Sequence, residues 1–280
     1  MRIKFWGVRG SIATPGLETS FFGGNTSCVT VNAQGKSLIL DAGTGIRVWG
    51  QQLTRRGRHR EYHLLLSHFH TDHLAGLPFF RPLFERNTRL HLYGPKGRQP
   101  LKRVIADFLA EDFFPVPVSR IPAMLCFHHL SHRSFNIPPF KVTPFRSNHP
   151  GKALGYLIQT PKTRLAYLCD HEPIRSFSHI KGVPPSQYEK DLGEKLSDID
   201  LLIHDSHFTD QEYPRYRGWG HSPWSYPLRL AKKYRIKQLV LFHHAPEHND
   251  QRLKNLFEKL NRQGIKGSIH LAREGEVITL

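Results

Sequence analysis

Over the first 70 residues, apolar side chains alternate with polar ones or run in short blocks, the period of strands. Arg2–Gly7, Ser27–Ala33 and Ser37–Asp41 read as strands, and Gln34-Gly35-Lys36 is a hairpin turn signal. A helix is expected after Gly43-Thr44, with Thr44 as its N-cap, running to about Leu53. Tyr62–Leu66 reads as a short buried strand that ends at a run of histidines. The pattern is least regular over residues 74–148. It yields a strand near Leu90–Tyr93, a helix from about Gln99 to Leu109, and a Phe- and Pro-rich loop near Phe113–Pro117. Strands return at Lys141–Phe145, Gly155–Thr160 and Thr163–Leu168, the last pair joined at Pro161-Lys162. A helix near Gln187–Leu196 leads into strand Ile199–Ile203, helix Pro223–Tyr234, strand Gln238–Phe242, helix Gln251–Arg262 and short final strands. No internal repeat or low-complexity linker interrupts this order. The expectation is one domain over 1–280, with an insertion region around 74–148.

Composition narrows the class. With 280 residues, 39% hydrophobic and 22% charged, the chain has enough apolar material for a sizeable core, which excludes a disordered or fibrous protein. No apolar run approaches the roughly 18 residues of a membrane span, so no membrane partner is expected. The basic start lacks an apolar stretch of leader length, and Cys28, Cys126 and Cys169 form no CxxC pair. These features point to a reducing, cytoplasmic setting without a thiolate metal site. Lys and Arg total 40 against 23 Asp and Glu, a net +17. Basic residues cluster at Arg55, Arg56, Arg58 and Arg60, and at Lys232, Lys233, Arg235 and Lys237. Solvated surface and attraction of a phosphate-bearing substrate both account for them. The 19 histidines direct attention to metal ligands.

The strongest chemical signal is Ser67-His68-Phe69-His70-Thr71-Asp72-His73, directly after a strand. In a chain of this composition His-x-His-x-Asp-His arises by chance roughly 3 times in 1,000, so it is read as a motif. His68 and His70, alternate residues, can point to one side. Asp72 and His73, at the start of a following helix, can turn toward a second point. Imidazole and carboxylate suit Zn2+ and similar divalent ions. Four ligands from one loop do not close two metal sites, so further ligands are expected at later strand ends. The candidates are His149 in Asn148-His149-Pro150, Asp170 in Cys169-Asp170-His171, His243 or His244 after Gln238–Phe242, and His221 in Gly218-Trp219-Gly220-His221-Ser222.

This set resembles the metallo-β-lactamase superfamily over nearly the whole chain. The resemblance implies an α/β fold, a four-layer αββα sandwich, with two divalent metal ions at one edge. It implies that His68, His70 and His149 hold one ion and Asp72, His73 and His243 the other, with Asp170 between them. His243 is preferred to His244 because the family's late histidine comes first after its strand. Asp41 matches a position that orients a metal-binding histidine from behind. Zn2+ is the expected metal, and the same donors accept Mn2+ or Fe2+.

Finer elements resemble the phosphodiesterase branch of that superfamily, which includes ribonuclease Z and cyclic phosphodiesterases. They are Trp6-Gly7-Val8-Arg9-Gly10-Ser11, Gly23-Gly24-Asn25-Thr26-Ser27, Leu40-Asp41-Ala42-Gly43-Thr44-Gly45, Leu201-Leu202-Ile203-His204-Asp205-Ser206 and Gly220-His221-Ser222. In that branch the last histidine is a proton donor or phosphate contact. Turnover is therefore expected to depend on His221 as well as Asp72. The activity implied is metal-dependent hydrolysis of a small or cyclic phosphate diester. Ribonuclease Z typically carries a long tRNA-gripping arm between the lone His and the lone Asp. Here His149 and Asp170 lie 21 positions apart, which favours a compact phosphodiesterase, while the net +17 favours RNA. The sequence also leaves room for a thioester or lactone hydrolase, and for a nucleic-acid-binding protein with a structural metal. Homodimers are common in the branch.

Arg9 and Asn25 are further candidates for phosphate contact, and His171, His204 and His207 for the surroundings of the site. His59, His63, His91, His128, His129, His132, His179, His248 and His270 lack motif context and are expected to be ordinary surface or core residues. The aromatics of 108–127 are candidates to line a substrate pocket, with packing of the insertion onto the core the favoured expectation.

Overall fold

A computed structural model describes residues 1–53, 60–262 and 268–280. Its strands in chain order are β1 Arg2–Gly7, β2 Cys28–Ala33, β3 Lys36–Leu40, β4 Arg60–Leu65, β5 Thr88–Pro95, β6 Met124–Leu130 and β7 Phe135–Ile137. They continue with β8 Phe140–Arg146, β9 Leu154–Gln159, β10 Arg164–Leu168, β11 Leu201–Asp205, β12 Gln238–Phe242, β13 Ser268–Leu271 and β14 Val277–Thr279. Among the described residues they form two seven-stranded sheets, in the orders β14-β1-β2-β3-β4-β5-β6 and β13-β12-β11-β10-β9-β8-β7. Each sheet is half antiparallel and half parallel: β3 to β6 run parallel in the first, β10 to β13 in the second. The carboxyl ends of these parallel strands are where α/β folds place ligands.

Side-chain alternation explains the layers. Leu38, Leu40 and Leu65 point into an inner core shared with Val142, Ile158, Tyr167, Ile203 and Val240 of the second sheet. Their neighbours Ile39 and Leu64 point outward, where they meet Ile46 and Trp49 of α1 (Gly45–Gln52) and Ile105 of α2 (Leu101–Phe108). On the other outer face Ala166, Leu202 and Leu239 pack on α3 (Pro185–Leu196), α4 (Ser225–Lys233) and α5 (Asp250–Arg262). Each fully buried Leu or Ile contributes on the order of 1.5–3 kcal/mol. The result is the expected helix–sheet–sheet–helix sandwich. No helix among the described residues is long and apolar enough to cross a membrane.

Three local expectations are corrected. Thr71–His73 is a single 3-10 turn followed by others at Leu77–Phe79 and Arg81–Phe84, not the start of an α-helix. Pro78 and Pro82 have no backbone N–H to continue a helical ladder. Thr44 precedes α1 but does not cap it; its hydroxyl accepts from the Thr26 amide at 2.9 Å and so ties the helix to β2's approach. Residues 74–148 are more regular than their pattern suggests, since they contain β5 to β8 and thus strands of both sheets. Within that stretch Phe108, Phe114 and Phe127 pack on the outer core, while Phe113 is exposed.

Candidate metal centre and active site

The site is assembled where strands stop. Asp41 follows β3 with φ +59°, a left-handed conformation that few non-glycine residues adopt and that re-aims its side chain. Its buried carboxylate accepts from the Ser67 amide (2.7 Å), the Ser67 hydroxyl (2.9 Å), the Tyr167 hydroxyl (2.8 Å) and His73 Nδ1 (2.9 Å). With Nδ1 donating to Asp41, His73 turns Nε2 toward the centre. His149 is fixed in the same sense: its Nδ1 donates to the Gly220 carbonyl at 2.7 Å. His243 leaves β12 with φ +62°, and Gly10 lies against its ring so closely that a Cβ there would come within 2.4 Å.

Two groups of donor atoms converge on Asp170, and a third, His207, His221 and His243, adjoins them. His68, His70, His149 and Asp170 each offer an atom within 4.8 Å of the others, as do His73, Cys169, Asp170 and His243. Asp170 belongs to both groups. Its Oδ2 is 3.6 Å from Nε2 of His68 and of His149, and its Oδ1 is 3.2 Å from His73 Nε2 and 3.3 Å from His243 Nε2. Asp72 Oδ2 lies 3.3 Å from His73 Nε2 and 3.2 Å from His243 Nε2, and accepts from the Ser11 amide at 2.8 Å. His68 Nε2, His73 Nε2 and Asp170 Oδ1 are buried without a hydrogen-bond partner. Buried polar atoms are rarely left so. An array of imidazole nitrogens and carboxylate oxygens, inward-facing and unsatisfied, fits two divalent cations.

The electrostatics agree. Burial pushes His68 far down and His149 to about 3, so both are neutral, the form that binds metal. Burial alone would raise Asp72 and Asp170, but the surrounding histidines hold both well below the usual carboxylate range. Burial would likewise depress His73, yet Asp72, Asp170 and Asp41 raise it well above an ordinary histidine. Ionised Asp72 and Asp170 thus face the centre beside neutral His68 and His149, donors that suit cations. Cys169 is beside it as a neutral thiol, since burial and the nearby Asp170 and Asp41 push it up.

His221 stands at the mouth, its Nδ1 donating to Asp205 at 2.8 Å and lying 4.0 Å from Asp170. Burial would lower it, but Asp205, Asp170 and Asp72 raise it to about 9. Asp205, at the end of β11, also accepts from the amides of His171 and His207. The loop carrying His221 hangs from Glu172. That fully buried carboxylate accepts from the Tyr213 hydroxyl (2.8 Å), the Gly218 amide (2.7 Å), the Gly220 amide (2.9 Å) and His179 Nε2 (2.8 Å). A Cβ on Gly220 would come within 2.3 Å of His149, so the loop can approach only as glycine. Asp205 lies in the Leu201–Ser206 element that resembles the phosphodiesterase branch, with no role of its own assigned from sequence; Glu172 is marked there only by following a strand near a histidine.

Of the remaining candidates among the described residues, only His207 adjoins the centre, with a donor atom within 4.8 Å of those of His221 and His243. Arg9 and Asn25 are not phosphate contacts. Arg9 is fully buried, donating to the carbonyls of Gly23, Ala245 and His248 and lying 3.7 Å from Asp250. Asn25 donates to Glu274 at 2.9 Å. His244 turns away and donates to the Ala272 carbonyl at 2.9 Å, whereas His243 faces the carboxylates. His207 stacks on His221 with ring centres 4.5 Å apart, while His171 and His204 pack among Tyr188 and Tyr226. Arg55, Arg56, Arg58 and His59 lie outside the described residues. Arg60 pairs with Glu85, Arg235 with Asp198 and Lys237 with Asp200.

The beta-lactamase superfamily domain matches residues 36–244 of the chain. A ribonuclease Z from Sulfurisphaera tokodaii is 26% identical over 271 residues, covering 82% of this chain and 87% of that protein. Human tRNase Z, short form, has the same fold with a TM-score of 0.70 at 20% identity, covering 100% of this chain and 99% of the other. Zn2+-bound PqqB from Methylobacterium extorquens superposes with a TM-score of 0.71 at 18% identity, covering 100% of both chains.

Proposed function

The chain belongs to the beta-lactamase superfamily, and from that premise we propose that it is a metal-dependent hydrolase of phosphate diesters, acting on a small or cyclic one. The observation that carries this is the pairing of two inward-facing ligand groups around Asp170 with His221, its Nδ1 bound to Asp205, at their mouth. When bound, two divalent ions, Zn2+ in the first instance, supply Lewis acidity at the phosphoryl group and lower the pKa of water toward neutrality. His68, His70 and His149 would hold one of them and Asp72, His73 and His243 the other, with Asp170 available to both. Asp41 keeps His73 in the tautomer that ligates, and Gly220 does so for His149. His221, its Nδ1 proton engaged by Asp205, presents Nε2–H to the departing oxygen and neutralises it as the P–O bond breaks. Asp205 holds that ring in place and sustains its charge.

The small substrate is favoured because only β9, β10 and their turns join His149 to Asp170, leaving no substrate-gripping arm there. RNA is the second reading, supported by the tRNA- and RNA-named relatives and the basic charge. We read 1–280 as a single domain, since the inner core draws on both sheets and β1 pairs with β14. Three unpaired cysteines suit a cytoplasmic enzyme. The test is hydrolysis of bis(p-nitrophenyl) phosphate with Zn2+ or Mn2+, beside the monoester. Metal-dependent cleavage of the diester and little of the monoester is expected. No diester cleavage by protein shown to hold two metals would transfer the reading to a thioester or lactone.

A further inference from the structure

We propose that a second cavity beside the metal ligands binds the retained side of the diester, and that it takes a nucleoside unit bearing an additional phosphate. This rests on the phosphodiesterase reading above. Two hollows open at the centre. One, of about 410 Å3, is lined by Asp72, Asp170 and His221. The other, of about 310 Å3, is lined by His68, Val104, Arg98 and Gly151. Phe69 and His70 line both, so a diester at the metals reaches either. Because His221 faces the first hollow, the leaving oxygen belongs there. The substituent that stays on phosphorus has the second.

The chemistry of the second hollow is specific. Phe69 and Val104 give it one apolar side, beside the polar His70 and Gln99 of its lining, and Phe69 is seated so tightly that a Cβ on Gly94 would lie 3.1 Å from its ring. Such a side suits the flat face of a base, and the volume is in the range of ligand pockets. Its rim is cationic. Arg98 lines it, and Lys96 and Lys152 are next in sequence to the lining residues Gly97 and Gly151, with Lys152 Nζ 3.5 Å from the Lys96 carbonyl. None of these three has an ion-pair partner among the described residues, unlike Arg175, Arg235 and Lys237, which pair with Glu189, Asp198 and Asp200. Unpaired cations around a slot with one apolar side match a base followed by a phosphate. A simple cyclic diester has no second phosphate with which to engage them.

The test is calorimetric titration of the full chain, with and without Zn2+, using thymidine 3′,5′-bisphosphate and thymidine 5′-phosphate. The bisphosphate should bind about tenfold or more tightly than the monophosphate. Lys96→Ala/Arg98→Ala should reduce that preference to about twofold or less, and Val104→Trp should weaken both ligands by filling the slot. A control at distant cations, Lys232→Ala/Lys233→Ala, should keep the preference. Equal binding of the two ligands, or a preference that survives Lys96→Ala/Arg98→Ala, overturns the subsite. Hydrolysis of bis(p-nitrophenyl) phosphate separates the two failures. Diester cleavage without a bisphosphate preference rejects the subsite alone. No diester cleavage rejects the phosphodiesterase reading, and the subsite as a substrate determinant falls with it.

Discussion

Two histidine clusters grow from the first sheet, and they are built in opposite ways. Across β4, β5 and β6, His63, His91 and His128 stack with ring centres 4.9 and 5.1 Å apart. Each finds a partner inside the cluster: His91 Nε2 meets Glu61 at 2.8 Å, His91 Nδ1 meets His128 at 2.9 Å, and His63 meets the Tyr93 hydroxyl at 3.1 Å. The cluster is half-exposed and electrically content. Beyond the end of β4, His68 and His73 are buried with Nε2 unsatisfied, among the carboxylates of Asp41, Asp72 and Asp170. An abundance of histidine is common to both. Only the second sets such unmet bonds against buried carboxylates, and that combination is what suits a metal site.

The largest contrast should come from Asp72→Ala against His91→Ala. Asp72→Ala should bring diester turnover below detection and deplete bound metal. His91→Ala should leave both near wild type, as read by p-nitrophenol release and metal content. Metal loss from His91→Ala would erase the distinction between the clusters. Next, His221→Ala should lower kcat by about 10²–10⁴ while the metal complement persists; metal depletion there would make His221 a ligand. Asp41→Asn should weaken metal affinity by about 10–100-fold, measured by competition with a chelator, because Asp41 orients His73 from behind and is not itself a ligand.

A subtler sharpening comes from pH. Burial lowers His221, and the facing carboxylates lift it to about 9. Since a donor must be protonated, kcat should fall as pH rises through its pKa. Bound cations offset Asp170 and Asp72 but not Asp205, so the alkaline limb of the loaded enzyme should lie below about 9. Asp205→Asn should move that limb to lower pH still. An unmoved limb would assign it to another group. The smallest effect is expected from Glu61→Gln at the satisfied cluster, under about 1 kcal/mol of stability by denaturant titration.

Much of the site is legible in the sequence because its ligands sit at strand ends, where a period-two pattern stops and a polar residue follows. His68, His70, Asp72 and His73 are adjacent in sequence, and His149, Asp170 and His243 each close a β-rich run. What escapes depends on three dimensions. β6 is an edge strand whose faces mix Met124, Phe127 and two histidines at partial exposure, so no clean alternation appears. Arg9 resembles a phosphate contact because it is a cation in a glycine-rich loop, but its guanidinium is consumed by three backbone carbonyls. Asp205 precedes its partner His221 by 16 residues, and only the fold brings them together.

The four-way grip of Glu172 has a consequence for how this protein tolerates change. One carboxylate fixes the loop that presents His221 and, through the Gly220 carbonyl, the ring of His149. A proton donor and a ligand thus share one anchor point. Drift in that loop cannot loosen the donor without also turning the imidazole that grips a cation. Substrates that need a wider mouth must find their room on the opposite rim, beyond His70, where no such tether binds the two tasks.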